Sequence, residues 1–225
     1  ILMKAFTRFL MALALALAGS TASAATMLGE NLLGNSGFES DFAFLPPIPD
    51  NDWFAFGGAG EGGVNFGAFS STNNPRTGER SAEIFIFDFS GTFVGIFQEV
   101  TGLHAGQEAA FTGWLTGLSQ GGSVDSGVEI RIEWVDSASG NEIGRTDNLT
   151  PTLTDTWEMF SVMGAVPVGA DAARVVFDLQ SQFGPAGLNV AFLDDASFTV
   201  VPLPGALILM LGALGSLSLF RKRLA

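Results

Sequence analysis

The segment Val128-Glu129-Ile130-Arg131-Ile132-Glu133-Trp134 alternates apolar and charged side chains without interruption. Successive side chains of a β-strand point to opposite faces of a sheet, so this pattern places the four apolar residues on one face and the three charged residues on the other. The next residues, Asp136-Ser137-Ala138-Ser139-Gly140-Asn141, are rich in turn formers. The segment therefore predicts a strand with one buried face, followed by a turn into a second strand.

Short runs of the same kind fill most of the chain. They are rich in Phe, Val and Ile, and residues such as Gly, Asn, Asp, Ser and Pro separate them. We predict strands at 31–33, 53–56, 64–69, 82–89, 93–100, 109–116, 127–135, 142–146, 157–162, 173–179 and 190–201. No long segment between 25 and 200 has a helical pattern, and no internal repeat is visible. The sequence therefore predicts one all-β domain over residues 25–200, an antiparallel β-sandwich of two sheets.

The amino-terminal segment has the pattern of a secretory signal peptide. Lys4 and Arg8 precede the apolar segment 9–18, and Ala22-Ser23-Ala24 supplies the small residues of a cleavage site. The apolar segment is too short for a stable membrane span. We predict a signal helix within residues 1–24, which the Sec translocon recognises and signal peptidase removes after Ala24.

The carboxyl-terminal segment has the pattern of a short membrane helix. Val201-Pro202-Leu203-Pro204-Gly205-Ala206 leads into an uncharged apolar run that ends at Phe220. The prolines keep the approach extended, and the run falls short of the roughly 20 residues that usually span a bilayer. Arg221, Lys222 and Arg223 follow, and the positive-inside rule predicts that they stay cytoplasmic. Residues 201–225 therefore predict a short transmembrane helix with a basic stop.

Charge and cysteine content exclude several classes of protein. All 23 acidic residues lie between Glu30 and Asp195, and this region contains only five arginines and no lysine, a formal charge of −18. Such a surface repels phosphate backbones, so we expect no nucleic-acid partner. The chain has no cysteine, which excludes disulfides, thiolate metal sites and thiol nucleophiles.

The carboxyl-terminal segment as a whole resembles the PEP-CTERM sorting signal. The resemblance is to its VPLP-type variant, since Leu203 stands where the commoner form has glutamate. It implies that an exosortase, a membrane-embedded processing enzyme, removes this segment. The remainder would then reach the cell surface or the extracellular space, in a bacterium that makes exopolysaccharide.

The central region resembles the galactose-binding-like jelly rolls, a group that includes several families of carbohydrate-binding modules. The resemblance begins at Asn31-Leu32-Leu33-Gly34-Asn35-Ser36-Gly37-Phe38-Glu39 and ends at Phe192-Leu193-Asp194-Asp195-Ala196-Ser197. It implies one structural calcium, bound by Glu39 and Asp195 with Asp194 as a neighbouring candidate. Calcium prefers six to eight oxygen ligands, which carboxylates and carbonyls supply. The alternative is that these acids are only solvated at loop edges.

Glycan binding would require flat aromatic side chains that are open to solvent, with polar partners beside them. The chain has four tryptophans and no tyrosine. We expect Trp134 and Trp157 in the core. The candidate sugar platforms are Trp53, at a loop edge beside three polar residues, and Trp114, which lies on the face of its strand opposite to Phe111 and is a candidate for a concave surface.

Three functions are consistent with these patterns. The first is a non-catalytic surface or extracellular-matrix protein associated with exopolysaccharide. The alternative is a carbohydrate-binding module with a defined glycan ligand. The third is a glycosidase or lyase, which the sequence supports least. His104 is the only histidine and no nucleophile or phosphate-binding motif is present, so we predict that the protein is not an enzyme.

Overall fold

A computed structural model describes residues 29–42, 52–58, 66–87, 91–119, 127–180 and 188–201. Residues Glu30–Val200 form one compact unit, to which these ranges belong almost entirely. The predicted signal helix and the predicted transmembrane helix both lie outside the described residues. Within the described ranges, no helix is long and apolar enough to cross a membrane.

The domain consists of ten β-strands. They are β1 (Phe54–Gly58), β2 (Phe66–Ser71), β3 (Ser81–Phe87), β4 (Phe93–Thr101), β5 (Glu108–Ser119), β6 (Val128–Asp136), β7 (Asn141–Arg145), β8 (Glu158–Ala165), β9 (Ala172–Gln180) and β10 (Leu188–Val201). Each corresponds to a strand that the sequence predicts, and where the described residues include both ends the boundaries agree to within a few residues. The alternation of apolar and polar residues therefore identified the strands correctly.

The strands form two antiparallel sheets of five strands each. The order is β2-β3-β10-β5-β8 in sheet I and β1-β4-β9-β6-β7 in sheet II. Neighbours in a sheet are distant in sequence, as in β4 beside β9 and β3 beside β10, which is the connectivity of a jelly roll rather than of a meander. The predicted all-β sandwich is confirmed.

The core lies between the two sheets. Val128, Ile130, Ile132 and Trp134 are buried there, as their alternation predicts, and the intervening charged residues point outward. From β9, which pairs with β6 and β4, Val175 and Phe177 enter the same core. The outward side of β6 therefore does not belong to the core between the sheets and is a candidate binding surface.

The segment 31–33 is not a strand, and that prediction was wrong. It runs beside β10, where the Leu32 amide donates to the Phe198 carbonyl over 2.8 Å. Asn31 replaces further backbone pairing, because its side-chain oxygen accepts the Phe198 amide at 3.0 Å and its side-chain nitrogen donates to the Ala196 carbonyl at 3.0 Å. The Asn31 side-chain amide therefore pairs with backbone groups of β10 that would otherwise bond to the backbone of an adjacent strand.

Candidate functional site

The outward face of sheet II carries an aromatic half and a charged half. Residues that alternate with the core residues of β4, β9 and β6 point to this face. Register places Phe54 opposite Phe97, and Phe97 opposite Val176, whose other neighbour is Arg131. One row across the sheet thus passes from aromatic to charged side chains.

The aromatic half consists of Phe54, Phe56, Phe93 and Phe97, which we call the aromatic strip. Phe54 and Phe97 are stacked, with ring centroids 5.4 Å apart and an interplanar angle of 21°. Phe56 contacts Phe97 at 6.1 Å and Phe93 at 6.4 Å. Phe54 lies on the edge strand β1 and is 54% exposed. The strip therefore presents a continuous apolar surface to solvent.

Gly95 makes room for this packing. A Cβ atom at Gly95 would lie 2.6 Å from the Phe56 ring, 2.6 Å from Asp178 Cβ and 2.7 Å from the Phe177 carbonyl oxygen. No side chain can occupy that space. Glycine here lets the aromatic strip and the charged half approach each other directly across β4.

The charged half begins with Arg174 and Glu99, which lie opposite each other on β9 and β4. Arg174 Nε donates to Glu99 at 2.8 Å, and the guanidinium lies 5.6 Å from the centre of the Phe97 ring. Further along the sheet, Arg145 donates to Glu142 at 2.5 Å and lies 3.7 Å from Glu133. The Arg174–Glu99 pair therefore forms a polar border beside the aromatic strip, and the Arg145–Glu142 pair lies at the opposite edge of the sheet.

Arg131 is the centre of a buried ion cluster beneath this border. Its guanidinium donates to Glu133 and to Asp178, each at 2.7 Å, and lies 3.5 Å from Glu129. Burial by itself lowers the pKa of Arg131. Its hydrogen bonds and ion pairs with Asp178 and Glu133 raise the pKa by a larger amount, so the pKa lies above its usual value. Arg131 therefore stays charged and holds the three carboxylates in place.

Asp178 is the least favourably placed member of this cluster. Its side chain is only 3% exposed, and no hydrogen-bond donor of the described residues reaches its Oδ1 atom. Burial raises the pKa of Asp178 to about 6, although Arg131 and the nearby Gln180 amide lower it in part. A buried charge with an unmet acceptor is costly. Such groups are more often found at binding sites than in passive structure.

The prediction that Trp53 is a sugar platform at a loop edge was wrong. Trp53 is 2% exposed, its ring packs on Phe38 at 5.0 Å and its Nε1 donates to the Asn35 carbonyl at 3.1 Å. A residue that directly follows a polar segment can still turn inward when another part of the chain, here the turn at 34–37, provides an apolar partner and an acceptor.

Trp114 lies on the outward side of sheet I, on the face of its strand opposite to the buried Phe111, as predicted. It is half-buried, and the guanidinium of Arg76 covers its ring at 3.7 Å from the centroid. Arg76 is itself paired with Asp195. One ring face is therefore occupied by the protein. Of the two predicted core tryptophans, Trp134 is buried and Trp157 is only half-buried.

The three predicted calcium ligands all accept hydrogen bonds from one segment, residues 76–80. Glu39 accepts the Glu79 amide at 3.1 Å, and Asp194 accepts the Arg76 and Thr77 amides at 2.9 and 3.1 Å. Asp195 pairs with Arg76 and with the Thr77 hydroxyl. No three His, Cys, Asp or Glu side chains of the described residues come together as a metal site. As arranged, these acids accept hydrogen bonds from the protein, and calcium binding stays a prediction.

The sorting motif cannot be placed in the same way. Val201 is the last residue of β10. The rest of the motif, Pro202, Leu203, Pro204, Gly205 and Ala206, and the basic residues Arg221, Lys222 and Arg223 lie outside the described residues.

Sequence reasoning missed the outward face of sheet II, although part of its signal was available. The alternation in 128–134 already places Glu129, Arg131 and Glu133 on one side of a strand. Phe93, Phe97 and Glu99 likewise lie on one side of β4. Only the strand order brings these two sets together, because β9 separates them in space and is distant in sequence from both.

Solved structures share this fold. The enzymatically active domain of tailspike protein 4 from bacteriophage CBA120 matches with a TM-score of 0.57 at 14% identity, over 76% of this chain and 21% of that one. The tandem CBM22-1–CBM22-2 domain of Paenibacillus barcinonensis Xyn10C matches with a TM-score of 0.53 at 14% identity, over 80% and 48%. The CBM22-1–GH10 modules of Clostridium thermocellum xylanase 10B, complexed with xylohexaose, match with a TM-score of 0.51 at 16% identity, over 76% and 29%.

These matches support the fold at low identity. The chain spans between about a fifth and a half of the length of these three structures. Carbohydrate-binding modules are among the neighbours, and their β-sandwich is the fold seen here. No protein-family model matches the chain, and a search of curated proteins finds no match.

Proposed function

We propose that this chain is a non-catalytic glycan-binding domain of an exported protein and that the outward face of sheet II binds the glycan. The observation that carries the proposal is the aromatic strip beside paired charged side chains on one solvent-facing sheet. Sugar rings have apolar C–H faces and a rim of hydroxyls, so they require this combination of surfaces.

Preorganisation supports the same proposal. The charged side chains are already fixed by one another, as in the Arg174–Glu99 and Arg131–Glu133 pairs. A ligand therefore meets hydrogen-bonding groups that lose little further freedom on binding. The fold is shared with carbohydrate-binding modules, one of them in a structure complexed with xylohexaose, and this likeness supports the proposal of glycan binding.

The test is substitution of Phe54, which is exposed and contributes to one face of the strip. Phe54→Ala should abolish retention of the protein in affinity gels that contain a bound polysaccharide, and should leave the unfolding temperature nearly unchanged. Phe87→Ala is the matched control, because Phe87 is 47% exposed but lies on β3 of sheet I. Equal retention of both variants, or equal loss, would rule out the aromatic strip as the binding surface.

We further propose that the domain is delivered by exosortase processing of its PEP-CTERM-like segment and associates with exopolysaccharide outside the cell. The support is the order of proline motif, apolar run and basic end in the sequence. Intact-mass analysis of the protein from its native culture tests this. A mass that retains residues 207–225 would refute processing, while the glycan-binding proposal would stand.

A further inference from the structure

The outward face of sheet II has more acidic than basic groups. Its five carboxylates are Glu99, Glu129, Glu133, Glu142 and Asp178, and its three guanidiniums are Arg131, Arg145 and Arg174. All of these lie on β4, β6, β7 and β9, the strands of sheet II other than the aromatic edge strand β1. The face therefore has a formal surplus of negative charge.

Each of these three arginines is already bound to carboxylate. Arg174 is paired with Glu99 at 2.8 Å, Arg145 with Glu142 at 2.5 Å, and Arg131 is held by carboxylates on either side. An anionic sugar would have to displace one of these partners to gain an ion pair. It would also meet the surplus carboxylates, so uronates and sulfated sugars are disfavoured at this face.

Asp178 gives a second and independent indication. Its Oδ1 oxygen has no donor among the residues described, although the side chain is almost completely buried on this face. The cluster therefore includes a buried carboxylate that is costly to ionise, in line with its raised pKa of about 6. A cation bound above Glu129 and Asp178 would reduce that cost, because charges interact more strongly when they are partly buried than in water.

The aromatic strip attracts the same kind of ligand. The faces of phenylalanine rings bind ammonium and guanidinium groups, and Arg174 already lies over Phe97 on this face. The unit from Glu30 to Val200 carries 23 acids and five arginines, so it also draws cationic polymers from a distance of about one Debye length, roughly 10 Å.

We infer, on the basis of the proposed glycan-binding function, that this face selects a glycan with protonated amino groups, such as a partly deacetylated hexosamine polymer. Stacking on the aromatic strip would hold the sugar ring. The ammonium group would donate its N–H bonds to carboxylates of the charged half, such as Glu99, which is 30% exposed, lies on the same side of β4 as Phe97 and can accept a further hydrogen bond beside that from Arg174. Glycans that carry carboxylate or sulfate would bind least.

Isothermal titration with three oligosaccharides of equal length tests this inference. They are oligomers of glucosamine, of N-acetylglucosamine and of galacturonate, all at one neutral pH, at which Asp178 with its pKa of about 6 is ionised and part of the amines is protonated. We expect the glucosamine oligomer to bind roughly tenfold to a hundredfold more tightly than its acetylated counterpart, as one or two charge-assisted hydrogen bonds would give. Added salt should reduce this preference.

Glu99→Gln makes the test specific. It removes a carboxylate and releases Arg174 from its partner, so it should weaken glucosamine binding and strengthen galacturonate binding, with little change for the acetylated oligomer. Glu108→Gln is the matched control, because it makes the same charge change at an exposed position at the start of β5 in sheet I. It should alter none of the three affinities.

The possible failures are distinguishable. Equal binding of the amine and acetylated oligomers, or tighter binding of galacturonate, would overturn the inference and leave the proposed glycan-binding function intact. If Glu108→Gln lowers glucosamine affinity as much as Glu99→Gln does, the preference is a property of total charge, and the assignment to this face is wrong. If no polysaccharide of a broad panel binds, the proposed function itself fails, and the inference with it.

Discussion

Replacing Asp178 with asparagine should stabilise the protein increasingly as the pH rises. Burial raises the pKa of Asp178 from 3.8 to about 6, so the folded state prefers the neutral carboxyl group. The wild-type protein therefore loses stability from this group as the pH rises through that window, since folding must then bury the charge. Asparagine resembles the protonated form in shape and does not ionise.

The magnitude follows from the difference between the two pKa values. The rise from 3.8 to about 6, at 1.36 kcal/mol per pKa unit, corresponds to about 3 kcal/mol. Between about pH 4 and about pH 8, the stability of Asp178→Asn relative to wild type should rise by roughly 2 to 3 kcal/mol. Arg131 keeps Glu133 and Glu129 as partners, so the substitution does not leave an isolated buried charge.

Urea unfolding followed by tryptophan fluorescence at several pH values measures this difference. The other acidic residues titrate in both proteins, and subtraction removes their contribution. Asp171→Asn is a control of opposite sign, because Asp171 is exposed and the Ser137 amide and hydroxyl, at 2.7 and 2.8 Å, hold the pKa of that carboxyl below its usual value. Asp171→Asn should therefore lose stability relative to wild type as the pH rises.

The reasoning is refuted if Asp178→Asn becomes less stable than wild type as the pH increases. That result would mean that the attraction between Asp178 and Arg131 exceeds the cost of burying the carboxylate. A difference that is constant with pH would show that Asp178 titrates alike in the folded and unfolded states.

Two other predictions concern packing and calcium. Gly95→Ala should destabilise the domain by roughly 1 to 3 kcal/mol, because the added methyl group would overlap Asp178, Phe56 and a backbone oxygen. Gly144→Ala is the control and should be close to neutral in the same unfolding assay, since a Cβ at Gly144 meets nothing within 4 Å. If Glu39, Asp194 and Asp195 bind calcium as the sequence resemblance implies, the unfolding temperature should be higher in millimolar calcium than in chelator. An unchanged temperature would contradict the calcium site and leave the amides, the guanidinium and the hydroxyl as the partners of these acids.

The errors of the sequence analysis have physical causes. Trp53 lies beside a polar segment, but the sequence does not reveal that the turn after Asn35 brings the Phe38 ring and the Asn35 carbonyl to the Trp53 side chain. The segment 31–33 has a strand-like composition, yet the Asn31 side chain takes the bonds that a ladder would use. Both outcomes depend on contacts over long sequence separations, which composition and periodicity do not encode.

The sequence by itself determined the positions of the strands, the inward face of the strand at 128–134 and the all-β class, because strand composition and side-chain alternation are local properties. It also determined the acidic surface and the absence of cysteine chemistry. Only the tertiary structure decided which outward residues meet. The pairing of β9 with both β4 and β6 places the aromatic strip beside Arg131 and Asp178, and the missing side chain of Gly95 lets the two halves touch. Strand order depends on the packing of the whole sandwich, so no single segment specifies it.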